Sequence, residues 1–517
     1  MRRESGVLLH ISSLPGPFCV GDCGLSAEAF ADFLSAAGFS LWQILPLTPT
    51  SEAFGDSPYS SPSVFAGNVR YISPEKLVRD GLLSEDDIML CRRPSSLHAD
   101  YASALGIRRE LLMTAWHAFL RDKERFCDIA AGYDSFCRRE SYWLEDYALF
   151  CVLKEKFGNV CWNEWPEKYR IRDKEAIALF AEDVSNKDKI SFEKFCQYIF
   201  MRHWELLRSY CRERGVSIIG DMPMFAALDS SDVWAHQEQF DLDEDGRPNC
   251  VAGVPPDYFS PTGQRWGNPL YRWDVMERRD FEWWTKRMRR SFECFDKIRV
   301  DHFRGFCGYW AIPASDDTAV DGEWRPAPGK KLFETLCAKL TADRVKNSVI
   351  AEDLGIITND VVELKKYMGF PGMDILLFAF GCGIADNPYI PHNISRNSVI
   401  YTGTHDNNTV AGWWSGEASD EERQNFSAYV GRAPETPCDA ASLMATMALT
   451  SRADIAVIPV QDLLGLDASC RMNEPGKTKD NWRWRMTDGQ FCSLISASSD
   501  IISKYAFLNR ISGRAFK

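Results

Sequence analysis

Short runs of β-branched and aliphatic residues alternate along the chain with stretches whose apolar positions recur every three or four residues. Such alternation predicts strands and helices in turn, the signature of a mostly parallel sheet. The first run, 7–11, precedes a helical stretch over 26–37 that Gly38 closes. A second strand reads over 41–47. The next convincing one, 217–221, comes only after a long, polar and largely helical segment. The last helix of that segment is clear. Phe192, Phe195, Cys196, Ile199, Phe200, His203, Leu206, Leu207 and Tyr210 mark one face, and Gly215 ends it. Further strands read over 297–301, 348–352, 373–380, 398–403 and 455–460.

Eight strands separated by helices predict an α/β fold, a TIM-type (β/α)8 barrel occupying 1–517 as one unit. A large, mainly helical insertion follows strand two, with an approximate subdomain over 62–195. A lid loop follows strand three, in a substrate-covering loop region over 240–275. An open doubly wound sheet is the alternative, but no GxGxxG fingerprint follows any strand.

Composition narrows the function. The 517 residues carry 60 Lys+Arg against 73 Asp+Glu, a formal net charge of −13, which argues against a nucleic-acid partner. No run approaches the ~18 apolar residues of a membrane span, so no membrane partner is expected. The 17 cysteines are odd in number, scattered and free of any CxxC pair, which points to a reducing compartment. With a strand starting almost at once, no leader peptide is read, and the expected location is cytoplasmic. Asp241-Leu-Asp243-Glu-Asp245-Gly246 opens like a calcium loop, but Ala252 stands at its twelfth position in place of Glu, so no metal is expected there.

Acids stand at the ends of four strands: Asp221, Asp301, Glu352 and Asp406. Any one of them alone would read as a helix cap. In a β/α barrel, however, the C-terminal strand ends carry the active site, so the four should converge. Strand alternation puts Arg299 and Asp301 on one face with Val300 opposite. A guanidinium beside Asp301 is expected to keep that carboxylate ionised, as a nucleophile requires. Like charge from Asp301 and Asp406 is expected to raise the pKa of Glu352, as a general acid requires. Carboxylates with pKa values driven apart are the equipment of glycosidic-bond chemistry. His405 beside Asp406 is suited to grip adjacent sugar hydroxyls. Aromatic, Pro/Gly-rich segments around Tyr59 and over 253–269 supply flat faces for sugar rings, and the second reads as a long loop.

Arg-Val-Asp301-His-Phe-Arg-Gly, Ala-Glu352-Asp-Leu-Gly and Gly-Thr-His405-Asp406-Asn resemble the motifs of the amylomaltases, or 4-α-glucanotransferases, of the α-amylase superfamily. The resemblance extends through Asn473-Glu-Pro-Gly476 and residues 481–485. It implies Asp301 as nucleophile, Glu352 as acid/base and Asp406 as transition-state stabiliser. Asp221, Arg299 and His405 would surround the donor sugar. Tyr59, Tyr258, Phe259, Gln264 and Asn473 would contact glucan. It further implies transfer of 1,4-α-glucan segments among maltooligosaccharides with glucose as an acceptor, no cofactor, and no C-terminal β-sandwich. Two departures stand out: Val300 where the family often has Ile, and Pro62 where a bulkier residue is common. A retaining α-glucan hydrolase and a catalytically inert glucan-binding protein are the rival readings, and the second is disfavoured by the presence of all three carboxylates.

Overall fold

The computed structural model describes residues 3–256, 260–477 and 479–515. Strands β1 (Glu4–Leu8) and β2 (Leu41–Gln43) flank the helix Leu25–Ala36. The insertion then passes through a series of helices to the long helix Val184–Glu213 and β3 (Ser217–Met222). Next come β4 (Cys250–Val254), β5 (Gln264–Pro269), β6 (Lys297–Val300), β7 (Gly308–Pro313) and β8 (Glu323–Pro326). The chain continues through β9 (Val349–Ala351), β10 (Gly372–Ile375), β11 (Ser398–Tyr401) and β12 (Ile455–Pro459).

Eight of these strands form one parallel sheet in the order β10-β11-β12-β1-β2-β3-β6-β9. Its two edges meet where the Ala351 N–H donates to the Pro371 carbonyl at 2.9 Å, which closes the TIM barrel. Apart from the β4–β5 and β7–β8 excursions, the strands follow one another around the barrel in chain order. Each of the eight segments predicted as a strand supplies one of them.

The long helix shows how the insertion packs. The Asp183 carboxylate caps its start, accepting from the Ser185 and Asn186 amides, and Gly215 in a left-handed conformation lies beyond its end. Phe192, Phe195, Cys196, Ile199, Phe200, His203 and Leu207 are buried, as the periodicity predicts. Leu206 instead faces solvent, and Trp204 and Cys211 take the interior. Glu193, Gln197, Tyr198 and Met201 are buried as well, so the middle of the helix is covered on nearly every side.

Several expectations change, beginning with the strands predicted over 41–47 and 398–403, which end at Gln43 and Tyr401. The strand predicted over 7–11 runs over Glu4–Leu8, and Ile11–Ser13 forms a 3-10 turn. The apolar run 373–380 is strand only as far as Ile375 and then turns through Leu376–Phe378. Leu376, Ala379 and Phe380 stay buried, and a run that remains in the core after its strand ends looks the same in sequence. The region 240–275 is not a plain loop. It contains β4 and β5, which join β7 and β8 in an antiparallel sheet ordered β5-β4-β7-β8. The β5 sequence Gln-Arg-Trp-Gly-Asn-Pro lacks two-residue alternation, so nothing in its pattern announces a strand. No helix among the described residues is long and apolar enough to cross a membrane.

Candidate active site

The barrel ladder delivers the acids to one end. Asp221 is the penultimate residue of β3 and pairs in register with Arg299 on β6. Hydrogen bonding continues one residue past the strand ends: Asp301 N–H donates to Met222 O at 3.0 Å, and Glu352 N–H to Val300 O at 3.0 Å. Both carboxyl groups are therefore aimed by sheet geometry. Val300 points the other way and is fully buried.

Arg299 divides its guanidinium between two acids. Nη1 lies 2.9 and 2.8 Å from the two oxygens of Asp221, and Nη2 lies 3.0 Å from Asp301 Oδ1. The Tyr59 hydroxyl also donates to Asp221 Oδ2, at 2.7 Å. The Asp221 side chain is 0% exposed, whereas that of Asp301 is 28% exposed. Asp221 is thus consumed by its partners, and Asp301 keeps a face open to the groove.

Glu352 is held by backbone. Its Oε2 accepts from the His302 N–H at 2.7 Å and its Oε1 from the Leu354 N–H at 2.8 Å. His302 has φ +49, a left-handed conformation unfavourable for a residue with a Cβ. The strain aims its amide at the carboxylate.

The electrostatics depart from expectation at Asp301. Arg299 does pull its pKa down, but burial and the charges of Asp221, Glu352 and Asp406 outweigh it and push the value up to about 8. One guanidinium serves two acids, so neither receives its full field. Glu352 is raised, as expected, but the cause differs. Burial is the largest contribution and neighbouring Asp353 adds to it, against Arg299 and the two amides. Burial lowers the His405 pKa against the pull of Asp406, which leaves a neutral imidazole at pH 7.

The opposite wall is built from loops. His405 Nε2 lies 3.3 Å from Asp406 Oδ2, and the Asn473 side-chain amide donates to Asp406 Oδ1 at 2.6 Å. Asn473 N–H donates to the His405 carbonyl at 3.1 Å, and Arg471 Nη2 to the Asp406 carbonyl at 2.7 Å. The Tyr59 and His405 rings stack at 5.1 Å and 16°, and Trp482 touches both, at 5.6 and 5.8 Å. Aromatic and polar surfaces thus alternate, as a sugar ring requires.

Of the predicted residues, Asp221, Arg299, Asp301, Glu352, His405, Asp406, Tyr59 and Asn473 come together. Gln264 stands one step out: its Oε1 accepts from Trp266 Nε1 at 3.2 Å, and the Trp266 ring meets His302 edge-on at 4.8 Å. Tyr258 and Phe259 lie outside the described residues. Trp482, His302 and Trp266 lie inside the quoted motifs and segments without being assigned a contact of their own, and Arg471 lies outside all of them. Trp482 sits in an aperiodic segment with φ +67, so no periodicity marks it and only the resemblance over 481–485 and its nearness to Asn473 hint at it. Among the described residues no group of three or more His, Cys, Asp or Glu is placed to hold a metal ion.

Comparison with known proteins finds relatives over nearly the whole chain. A family model described as 4-alpha-glucanotransferase matches residues 9–491. The 4-alpha-glucanotransferase of Thermus thermophilus is 44% identical over 498 residues, covering 94% of this chain and 95% of that one. That of Aquifex aeolicus is 43% identical over 486 residues, covering 94% and 96%. Among solved structures, an amylomaltase from Streptococcus agalactiae in complex with acarbose superposes with TM-score 0.92 at 37% identity, covering 100% of both chains.

Proposed function

The chain belongs to the 4-alpha-glucanotransferase family, and from that premise we propose that it moves segments of 1,4-α-D-glucan to the 4-hydroxyl of an acceptor glucan or glucose by double displacement. The observation that carries this reading is the division of Arg299 between a sealed Asp221 and an open Asp301, with Glu352 held on two amides opposite.

Asp301 is the nucleophile. Burial, with one guanidinium among several acids, keeps it and Glu352 from both ionising readily in the free enzyme, so the pair retains a proton toward neutral pH. As a glucan enters, positive charge developing on the anomeric carbon favours ionised Asp301 and leaves the proton on Glu352. Glu352 then protonates the leaving glycosidic oxygen while Asp301 bonds to the anomeric carbon, giving a covalent glycosyl-enzyme. In the second step Glu352 takes the proton of an acceptor 4-hydroxyl, and the α configuration is retained. Asp406, fixed by Asn473 and His405, holds ring hydroxyls and strengthens its grip as the oxocarbenium charge grows.

Transfer must outrun hydrolysis. Water at about 55 M competes with a millimolar acceptor, so parity needs a preference of ~10⁴–10⁵, or about 6–7 kcal/mol. Acceptor contacts along Tyr59, Gln264 and the Tyr258–Phe259 segment, together with water exclusion by the region 240–275, supply it. Residues 62–195 form an inserted helical subdomain that walls the groove. Seventeen free thiols suit a cytoplasmic site of action.

Incubation with maltotriose, with and without added glucose, tests the activity. Longer maltooligosaccharides together with glucose are expected. Maltose and glucose alone, with nothing longer, would convert the reading to a hydrolase, and no turnover at all would leave a binding protein.

A further inference from the structure

Arg304 lies just beyond Asp301, in the 3-10 turn Phe303–Phe306. Its Nη1 donates to the Ile356 carbonyl at 2.5 Å, and its guanidinium carbon stands 3.9 Å from the centroid of the Trp324 ring. These contacts join three separate pieces of chain. Arg304 belongs to the loop after β6, Ile356 to the loop after β9, and Trp324 to β8 of the antiparallel sheet.

The first two loops are those whose amides hold the acid/base carboxylate. His302 N–H and Leu354 N–H each bind one oxygen of Glu352, and Arg304 and Ile356 lie slightly further along the same two loops. The Arg304–Ile356 bond therefore staples the two arms of the Glu352 cradle to each other. The third contact reaches the antiparallel sheet. Trp324 pairs in register with Trp310 on β7, the rings meeting T-shaped at 5.2 Å. Trp310 Nε1 donates to the Ala319 carbonyl at 2.8 Å, and Ala319 N–H donates to Thr262 O, between β4 and β5, at 3.0 Å.

We propose that Arg304 is a positioning residue for the transfer step, fixing the Glu352 carboxylate and the β5-β4-β7-β8 sheet relative to one another so that acceptor sugar, in preference to water, meets the acid/base. This rests on the assignment of Glu352 made above. The guanidinium suits the task because its plane stacks on an indole while its edge donates in a fixed direction, a combination that a lysine lacks. A merely structural cation–π contact would contribute to folding and leave the chemistry alone.

The test is a product analysis from maltotriose, with kcat, KM and Tm for each variant. Arg304→Ala is expected to lower kcat about 10- to 100-fold at nearly unchanged KM, and to raise the hydrolysed fraction of product severalfold. Trp324→Ala should shift both quantities the same way by a smaller factor, and Trp324→Phe, which restores a ring under the guanidinium, should reverse the shift. The double variant should be no worse than Arg304→Ala alone, because one contact is removed twice. If Arg304→Ala does not fold, Arg304→Lys and Trp324→Ala carry the test, both with the hydrolysed fraction as readout. The proposal is overturned if the folded variants keep the wild-type kcat and hydrolysed fraction, or lose only Tm. Failure of the Glu352 assignment looks different: Glu352→Gln would then turn over normally in an otherwise wild-type chain.

Discussion

The two walls of the groove solve the same problem in opposite ways. On the β3–β6–β9 side, Asp221, Arg299, Asp301 and Glu352 stand on or immediately after barrel strands, and ladder hydrogen bonds fix their backbones. On the other side, Asp406 is placed by loops: Asn473, His405 and Arg471 hold it, and its side chain is 43% exposed. The strand-borne wall concentrates charge at the expense of stability. The loop-borne wall carries aromatic faces and adaptable polar contacts. Under the proposed mechanism, bond making falls to the first and sugar fitting to the second. Substitutions should separate them.

The largest effect is expected at the strand-borne wall. Asp301→Asn should lower transfer by about 10⁴-fold or more, measured as initial rate on maltotriose. The same variant should be more heat-stable than wild type. The folded-state pKa of Asp301, about 8, lies above the unfolded value, so ionisation penalises folding only above the unfolded pKa, and the penalty grows as pH rises to about 8. The Tm advantage of Asp301→Asn should therefore be near zero around pH 4 and increase to a plateau above pH 8. A constant or falling difference would contradict the pKa raised by burial and crowding. Discounted for partial exposure, the gain amounts to roughly 1–3 kcal/mol.

Next is Glu352→Gln, with an expected loss of about 10²–10⁴-fold on maltotriose. On α-glucosyl fluoride, whose leaving group needs no proton, the first step should be largely spared. An equal loss on both donors would remove Glu352 from proton transfer. On the loop-borne wall the effects should be smaller. Asn473→Ala deletes one hydrogen bond to a carboxylate, and about a tenfold fall in kcat/KM is expected. Trp482→Ala removes the ring that backs Tyr59 and His405, and roughly a fivefold rise in KM is expected with kcat little changed. If Asn473→Ala proved as damaging as Glu352→Gln, the division of labour between the walls would be wrong.

The same division governs what the sequence makes legible. Strand-borne residues occupy short motifs whose alternation and strand-end placement point to a common site, so Asp221, Arg299, Asp301 and Glu352 can be read directly. The barrel follows from the spacing of eight apolar runs. What escapes is set by tertiary context. Trp482 acts from an aperiodic segment with a left-handed backbone, and β5 forms only because β4 offers it an edge. The Asp301 pKa could not be read from Arg299 alone, because burial and the charges of Asp221, Glu352 and Asp406 raise it, and neither the burial nor the pairing across β3 and β6 is visible along the chain.

The central claim is that Asp301 forms a bond to sugar. It is tested most directly by trapping the intermediate with a fluorinated glycosyl fluoride that slows the second step, then mapping the labelled peptide by mass spectrometry. The expected result is a single glycosyl adduct on the peptide containing Asp301, absent in Asp301→Asn and released by adding a maltooligosaccharide acceptor. A glycosyl adduct carried by Glu352 or Asp406 would contradict the account.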